Sequence, residues 1–250
     1  MRSLQLRTTR VGLVCLAVAF YGASSSATTV NFDNSTPVSV IGITGFQTDG
    51  NDMAGIHVTA SFGVANEEEV VWVGDGGIAG EAAGQHGDGD DVTPDAWVLS
   101  QSGDTFTEEW TLTTTNQESD ILSILIEGWQ FGVVFDVLNG ATGTPFSANG
   151  QPFSSSLGDI PGITVTYSNP VGIGVADPVG DLYGTLFIEF AFDLGGGDIG
   201  GFNARFNNGL GLPFLADTDT VGLPPGQTPE PSMLLLLGAG LVALYRRRRS

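Results

Sequence analysis

Between residues 28 and about 216, no apolar pattern of helical period lasts for three turns. That absence argues against helical bundles and α/β folds. In their place come short runs of β-branched and aromatic residues, separated by clusters of Gly, Asp, Asn and Pro, the pattern of an all-β sandwich. Residues 56–62 alternate cleanly, with Ile56, Val58, Ala60 and Phe62 sharing a face. The longest alternation covers 182–192: Leu182, Leu186, Ile188, Phe190 and Phe192 line one side, and Tyr183, Thr185, Phe187, Glu189 and Ala191 the other. Gly184 interrupts the apolar face and predicts a bend or bulge.

Further strands are expected at 29–32, 38–43, 69–73, 97–100, 105–114, 121–129, 131–138, 163–167, 202–206 and 213–216, about twelve in all. At 121–129 a short helix competes, and β-branched content with bounding turns favours strand. Residues 74–95 and 140–158 read as loops rich in Gly, with Asp in the first and Ser, Asn and Pro in the second. Asn139-Gly140 is a hairpin-type turn pair. The fold expected is all-β: a single two-sheet antiparallel sandwich of jelly-roll type. No internal repeat of 20–50 residues is present, which argues against a solenoid.

The two ends differ from this middle. Arg2, Arg7 and Arg10 precede an apolar stretch at 11–20 and small residues at 22–27. Ser25-Ser26-Ala27 fits the small-x-small rule for a signal peptide cut before Thr28; a retained membrane anchor is the competing reading. Cys15 makes a poor lipoprotein signal, because Val14 stands where a small residue is needed. At the other end Pro229-Glu230-Pro231 holds the backbone extended. An apolar run at 233–245 and the basic block Arg246, Arg247, Arg248 and Arg249 follow. Arginines resist transfer into hydrocarbon, so this end stays cytoplasmic while the residues before Pro229 face the other way. The apolar run of 13 residues spans about 20 Å as a helix, short for a ~30 Å hydrocarbon core. Such a span suits a transient sorting intermediate better than a permanent anchor, the competing reading.

Taken together, the Pro-Glu-Pro step, the apolar helix and the terminal arginines resemble the PEP-CTERM protein-sorting segment of Gram-negative bacteria. The resemblance covers about the last 23 residues. It implies a partner, an exosortase-type membrane cysteine protease that cuts near Pro229-Glu230-Pro231, with passage through the inner membrane to the cell surface or extracellular matrix. It also implies an association with exopolysaccharide. The chain then divides into a signal helix (1–27), a β-sandwich domain (28–217), a linker (218–227, with Pro224-Pro225-Gly226) and the sorting segment with its transmembrane helix (228–250).

Setting the ends aside exposes the charge of the middle. Of eight basic residues, seven lie in the leader and tail, leaving Arg205; of 28 acids, Glu230 belongs to the tail, leaving 27. The exported body thus carries a formal charge near −26. Nucleic acid is excluded as a partner, because binding it requires neutralising phosphates. Anionic lipid is repelled, and divalent cations are the natural counter-ions. Cys15 is the one cysteine and leaves with the leader. The body must therefore be held by core burial alone, for which roughly 190 residues suffice.

Few residues suit catalysis. The body has no thiol, two histidines (His57 and His86) and no Gly-x-Ser-x-Gly elbow. His57 falls opposite Ile56 and Val58 and reads as a solvated strand residue, and His86 as a loop residue. Sequence spacing alone picks out no hydrolytic carboxylate pair among the acids.

Metal binding has better material. Asp88, Asp90 and Asp91, with His86 and Asp95 nearby, concentrate hard oxygen ligands of the kind calcium takes on a glycine-rich loop. EF-hand spacing fails, since positions six and twelve from Asp88 are Thr93 and Leu99. Residues 195–201 are similar to a single RTX calcium repeat, and Asp217 with Asp219 form a third acidic point. The competing reading is that Asp and Gly occupy these turns for backbone reasons.

Trp72, Trp97, Trp110 and Trp129 are candidates for stacking on sugar rings, although aromatic residues in alternating strands more often build the core. Glu67, Glu68, Glu69 and Arg205 read as solvated, with Arg205 in a surface ion pair. The expectation is a non-enzymatic envelope-surface or matrix protein; the alternative is a carbohydrate-binding or carbohydrate-cleaving module.

Overall fold

The structure is a computed structural model that describes residues 27–62, 66–86, 95–115, 120–138, 150–174, 178, 181–206 and 210–223. The expected signal helix and transmembrane helix fall outside these residues. Among the described residues regular structure is strand, with two 3-10 turns, and no helix is long and apolar enough to cross a membrane.

The strands in chain order are β1 (Thr29–Phe32), β2 (Val38–Val40), β3 (Gly42–Gly45), β4 (His57–Ser61), β5 (Glu67–Val71) and β6 (Val73–Gly74). They continue with β7 (Ala79–His86), β8 (Asp95–Ser102), β9 (Trp110–Thr115), β10 (Ser123–Glu127), β11 (Val133–Asp136) and β12 (Ile163–Ile173). The last are β13 (Leu182–Phe190), β14 (Phe192–Gly195), β15 (Asp198–Gly200), β16 (Leu212–Phe214) and β17 (Thr218–Gly222).

Two main sheets result. The smaller has the order β16-β9-β8-β7-β6, in which β6 to β9 form an antiparallel meander. The larger is built around β13. One flank of β13 pairs with β12; the other meets β10 and β11 in turn, with the 3-10 turn Trp129–Phe131 between them. From β10 the sheet continues through β4 to β5, and from β11 through β17 to β3. The far flank of β12 receives β1 and β2 in parallel. The all-β expectation holds and most pairs are antiparallel, but these parallel edges and the meander differ from the purely antiparallel jelly roll expected. A short hairpin, β14-β15, stands apart.

Both sheets turn apolar faces to one core, in which Trp72, Trp97, Trp110, Leu112, Ile124, Ile126, Phe135, Ile188 and Phe214 are buried. A second, smaller cluster (Val40, Val134, Val171, Leu182, Val221) lies among β2, β11, β12, β13 and β17. The change of side occurs where Asn169, with φ of 58°, interrupts β12. Tyr167 and its cross-strand partner Leu186 belong to the main core, whereas Val171 and Leu182 belong to the second. Gly184 lies in this stretch. Its place is explained by close approach: a Cβ there would stand 2.6 Å from Cδ1 of Trp129.

Four expectations are corrected. Residues 79–86 were expected in a loop and form β7, a full partner of β8. Its small residues are required by the indoles beneath it: a Cβ on Gly84 would overlap Trp97, and one on Gly80 would overlap Trp72 and the Gly50 carbonyl. Thr105–Thr107 form a turn before β9 rather than the start of that strand, with the amide of Glu108 bonded back to the Asp104 carbonyl at 2.8 Å. Phe202–Ala204 is a 3-10 turn that buries Phe202, not a strand. Thr218–Gly222, expected in the linker, is β17, paired on both sides, so the domain extends to about residue 223.

Gly50 and Gly80 meet backbone to backbone where the two sheets join. A methyl on Gly50 would overlap the Gln101 carbonyl and the Gly80 amide. Neither can move without breaking the β7–β8 ladder. Gly50→Ala should therefore cost about 2–3 kcal/mol in a denaturant titration, whereas Gly76→Ala, in open space at φ 81°, should cost about 1 kcal/mol from backbone strain alone.

Candidate functional site

The residues chosen for sorting, Pro229, Glu230, Pro231 and Arg246 to Arg249, lie outside the described residues, as do Asp88, Asp90 and Asp91. Those three aspartates lie in sequence between β7 and β8, whose pairing runs to His86 opposite Asp95. Asp198 in the glycine-rich hairpin is exposed. No group of three or more His, Cys, Asp or Glu among the described residues is placed to hold a metal ion.

The acidic point at Asp217 and Asp219 has a different character from the solvated turn expected. Both are 1% exposed, as is Asp181, and Asp136 is fully buried. The strands explain the gathering. Asp219 lies opposite Val134 in the β17–β11 ladder, and the amide of Asp136 donates to the Asp217 carbonyl at 3.0 Å. The Val137 amide donates to the carbonyl of Asp181, which leads into β13.

The carboxylate of Asp217 accepts the Thr105 hydroxyl at 3.0 Å through Oδ1, while Oδ2 is buried with no hydrogen-bond partner among the described residues. Burial first, then the neighbouring charges of Asp219 and Asp136, push the Asp217 carboxyl up to about 8, against the lowering effect of the Thr105 hydrogen bond. Burial likewise raises the Tyr167 phenol, whose oxygen accepts the Phe153 amide at 2.7 Å.

Three of the four tryptophans do not offer a stacking face. Trp72, Trp97 and Trp110 are at most 1% exposed, and their Nε1–H groups donate to the Gly50 carbonyl, the Glu68 carboxylate and the Ala216 carbonyl. Trp129 is partly buried against the second cluster. An open groove of about 520 Å³ is instead lined by β6, β7, β8 and the approach to β9. Asp75, Glu81, Glu109, Ser100, Ser102 and Thr111 supply its polar groups, and Val73, Ala79 and Gly80 its apolar surface.

The remaining charges are more engaged than sequence reasoning allowed. Glu68 accepts both Trp97 Nε1–H and the Gln85 amide, tying β5 to the smaller sheet. His57 pairs with Glu69 at 2.9 Å and stacks on Phe131 with ring centroids 4.3 Å apart, so it is not simply solvated. Arg205 lies 5.8 Å over the Phe192 ring, and among the described residues it is not in the expected ion pair.

Neither the curated proteins nor the solved structures gave a match to the chain. One family model does match, that of the PEP-CTERM protein-sorting motif, over residues 227–249. The stretch begins four residues beyond the last described position after β17. Exosortase, a membrane protein, recognises such motifs, and they imply export with a membrane-associated sorting step. With Pro229-Glu230-Pro231, the apolar run and the arginines all inside the matched stretch, the chain carries a PEP-CTERM sorting motif behind an acidic, all-β domain.

Proposed function

We propose that this chain is a non-enzymatic component of the cell surface or extracellular matrix, delivered by its sorting motif. The observation that carries the reading is the match at 227–249, set behind a body with 27 acids and one base. Such a body repels its own copies and anionic lipid, which suits dispersal in a hydrated matrix. Calcium gathered at Asp88, Asp90 and Asp91 would bridge copies or acidic polysaccharide. Intact-mass measurement of protein recovered from the cell exterior should find an N-terminus at Thr28 and a C-terminus near Pro229. Recovery from the cytosol with both ends uncut would reject delivery. Calorimetry with calcium on the native chain and on Asp90→Ala tests the bridging, and equal heats reject it.

The groove on the smaller sheet favours a second reading, a carbohydrate-binding module. Carboxylates accept hydrogen bonds from sugar hydroxyls, and the small apolar side chains of Val73 and Ala79 leave room for a ring. A glycan array should then show saturable binding that Glu81→Gln weakens at least tenfold. No binding on the array leaves the matrix reading alone.

A further inference from the structure

The chain leaves the folded body at a flank whose make-up differs from the acidic average. β17 ends at Gly222, whose carbonyl accepts the Ile41 amide at 2.7 Å. The carbonyl of Val40, one residue earlier, accepts the Gly174 amide at 2.7 Å, and the Val221 amide donates to the Gly132 carbonyl at 2.7 Å. The ends of β2, β12 and β17 are thus gathered where Leu223 departs. Here β3 stands at the end of its arm of the large sheet. Ile41 and Phe46, which bracket β3, are 57% and 48% exposed, and Thr44 between them is exposed too.

The segments that build this flank carry no charge. Residues 34–48, 128–135, 160–176 and 220–229 contain no Asp, Glu, Lys or Arg, whereas the body as a whole has 27 acids. Asp33 and Asp49 mark the borders of the first segment.

We propose that this flank, with β3 at its edge, rests on the membrane surface while the chain is held by its tail, and that Ile41 and Phe46 enter the headgroup layer of a zwitterionic bilayer. The proposal rests on the sorting reading, because the tail is what brings the body to the membrane. The length of the tether argues for it. Nine residues, 224–232, separate Leu223 from the apolar run that begins at Met233, and four of the nine are proline. Nine residues at full extension reach about 30 Å, and the headgroup layer takes roughly 6 Å of that. A folded body of about 190 residues is roughly 40 Å across. The tether is shorter than the body is wide, so the far side cannot turn to the bilayer and the flank beside the exit has to. Carboxylates there would be repelled by lipid phosphates and would lose water on contact. An uncharged flank avoids both costs, and exposed Ile41 and Phe46 gain by leaving water.

The test uses the chain as sorting would hold it, leader removed and tail uncut (residues 28–250), reconstituted in phosphatidylcholine vesicles. This form has no cysteine, so Thr44→Cys and, at the exposed end of β8, Ser102→Cys each take a single nitroxide label. Electron paramagnetic resonance then compares collisions with oxygen, which concentrates in lipid, against collisions with a water-soluble nickel chelate. The oxygen-to-nickel ratio at position 44 should exceed that at position 102 by roughly threefold or more, as expected at interfacial depth. Ile41→Glu combined with Phe46→Glu should bring the ratio down to that of position 102 while leaving Tm unchanged, since both side chains are exposed. Equal ratios at the two labels, or a ratio that the glutamates leave unchanged, overturn the inference. So does a label at position 44 shielded from both reagents, because a second copy of the chain rather than lipid would then cover β3. A chain that fails to float with the vesicles counts against the sorting reading and takes the inference with it; a chain that floats while position 44 stays wet rejects the inference alone. Should the glutamate pair fail to fold, Ile41→Ser with Phe46→Ser replaces it and must also lower the ratio.

Discussion

Replacing Arg246, Arg247, Arg248 and Arg249 together with serine is expected to abolish the membrane-associated stage of sorting. Each arginine opposes transfer into the bilayer by about 2.5–3.5 kcal/mol on an insertion scale, so the block of four sets a barrier on the order of 10 kcal/mol. The apolar run before it is 13 residues, too short to anchor firmly without that stop. Fractionation of cells producing the variant should show the membrane-held form reduced at least tenfold. Intact masses of exported protein should include the uncut tail. Lysine at the same four positions should restore retention, because charge rather than the guanidinium fork sets the barrier. Unchanged retention in the serine variant would show that other features of residues 227–249 hold the chain.

Trp110→Ala should be the most damaging single substitution in the body, costing about 3–5 kcal/mol and lowering Tm by roughly 10 °C. The indole is fully buried on β9, 5.2 Å from the Trp72 ring and stacked at 6.0 Å on Phe214 of β16. Its removal opens a cavity between Trp72 and Phe214. It also leaves the Ala216 carbonyl without the Nε1–H donor at 3.0 Å, immediately before Asp217. Trp110→Phe keeps most of the ring and loses the donor, so it should recover more than half of the loss. Chemical denaturation of both variants checks the ordering; a cost under 1 kcal/mol for alanine would mean that the core closes over the gap. Cys15 is the one cysteine of the sequence, so no disulfide within the chain can mask the effect.

Strands with period-two alternation were legible from their residues. β1 matches its expected bounds, and in β4 Val58 and Ala60 point inward while His57 lies on the other side. β7 was illegible because its inward positions are Ala82, Gly80 and Gly84, and the smallness of the two glycines answers the indoles of Trp72 and Trp97 from elsewhere in the chain. Residues 105–108 alternate as a strand would, yet Thr105 is held by contacts to Thr48, Asp217 and Thr218, all distant in the chain. At the candidate sites the contrast is similar. The sorting motif is a local string and reads directly. Asp217 and Asp219 stood out as acidic, but a turn and a buried strand share the same letters there.

By itself the sequence determined what depends on neighbours along the chain: β alternation, the sorting motif matched at 227–249 and the imbalance of 27 acids to one base between residues 28 and 227. The tertiary structure decided which carboxylates lose their water, which tryptophans serve the core, and that 218–222 belongs to the sheet rather than the linker. The physical reason is that burial and electrostatic coupling are set by side chains that meet across more than a hundred positions, as Thr105 meets Asp217 and Trp110 meets Ala216. No local pattern encodes that distance.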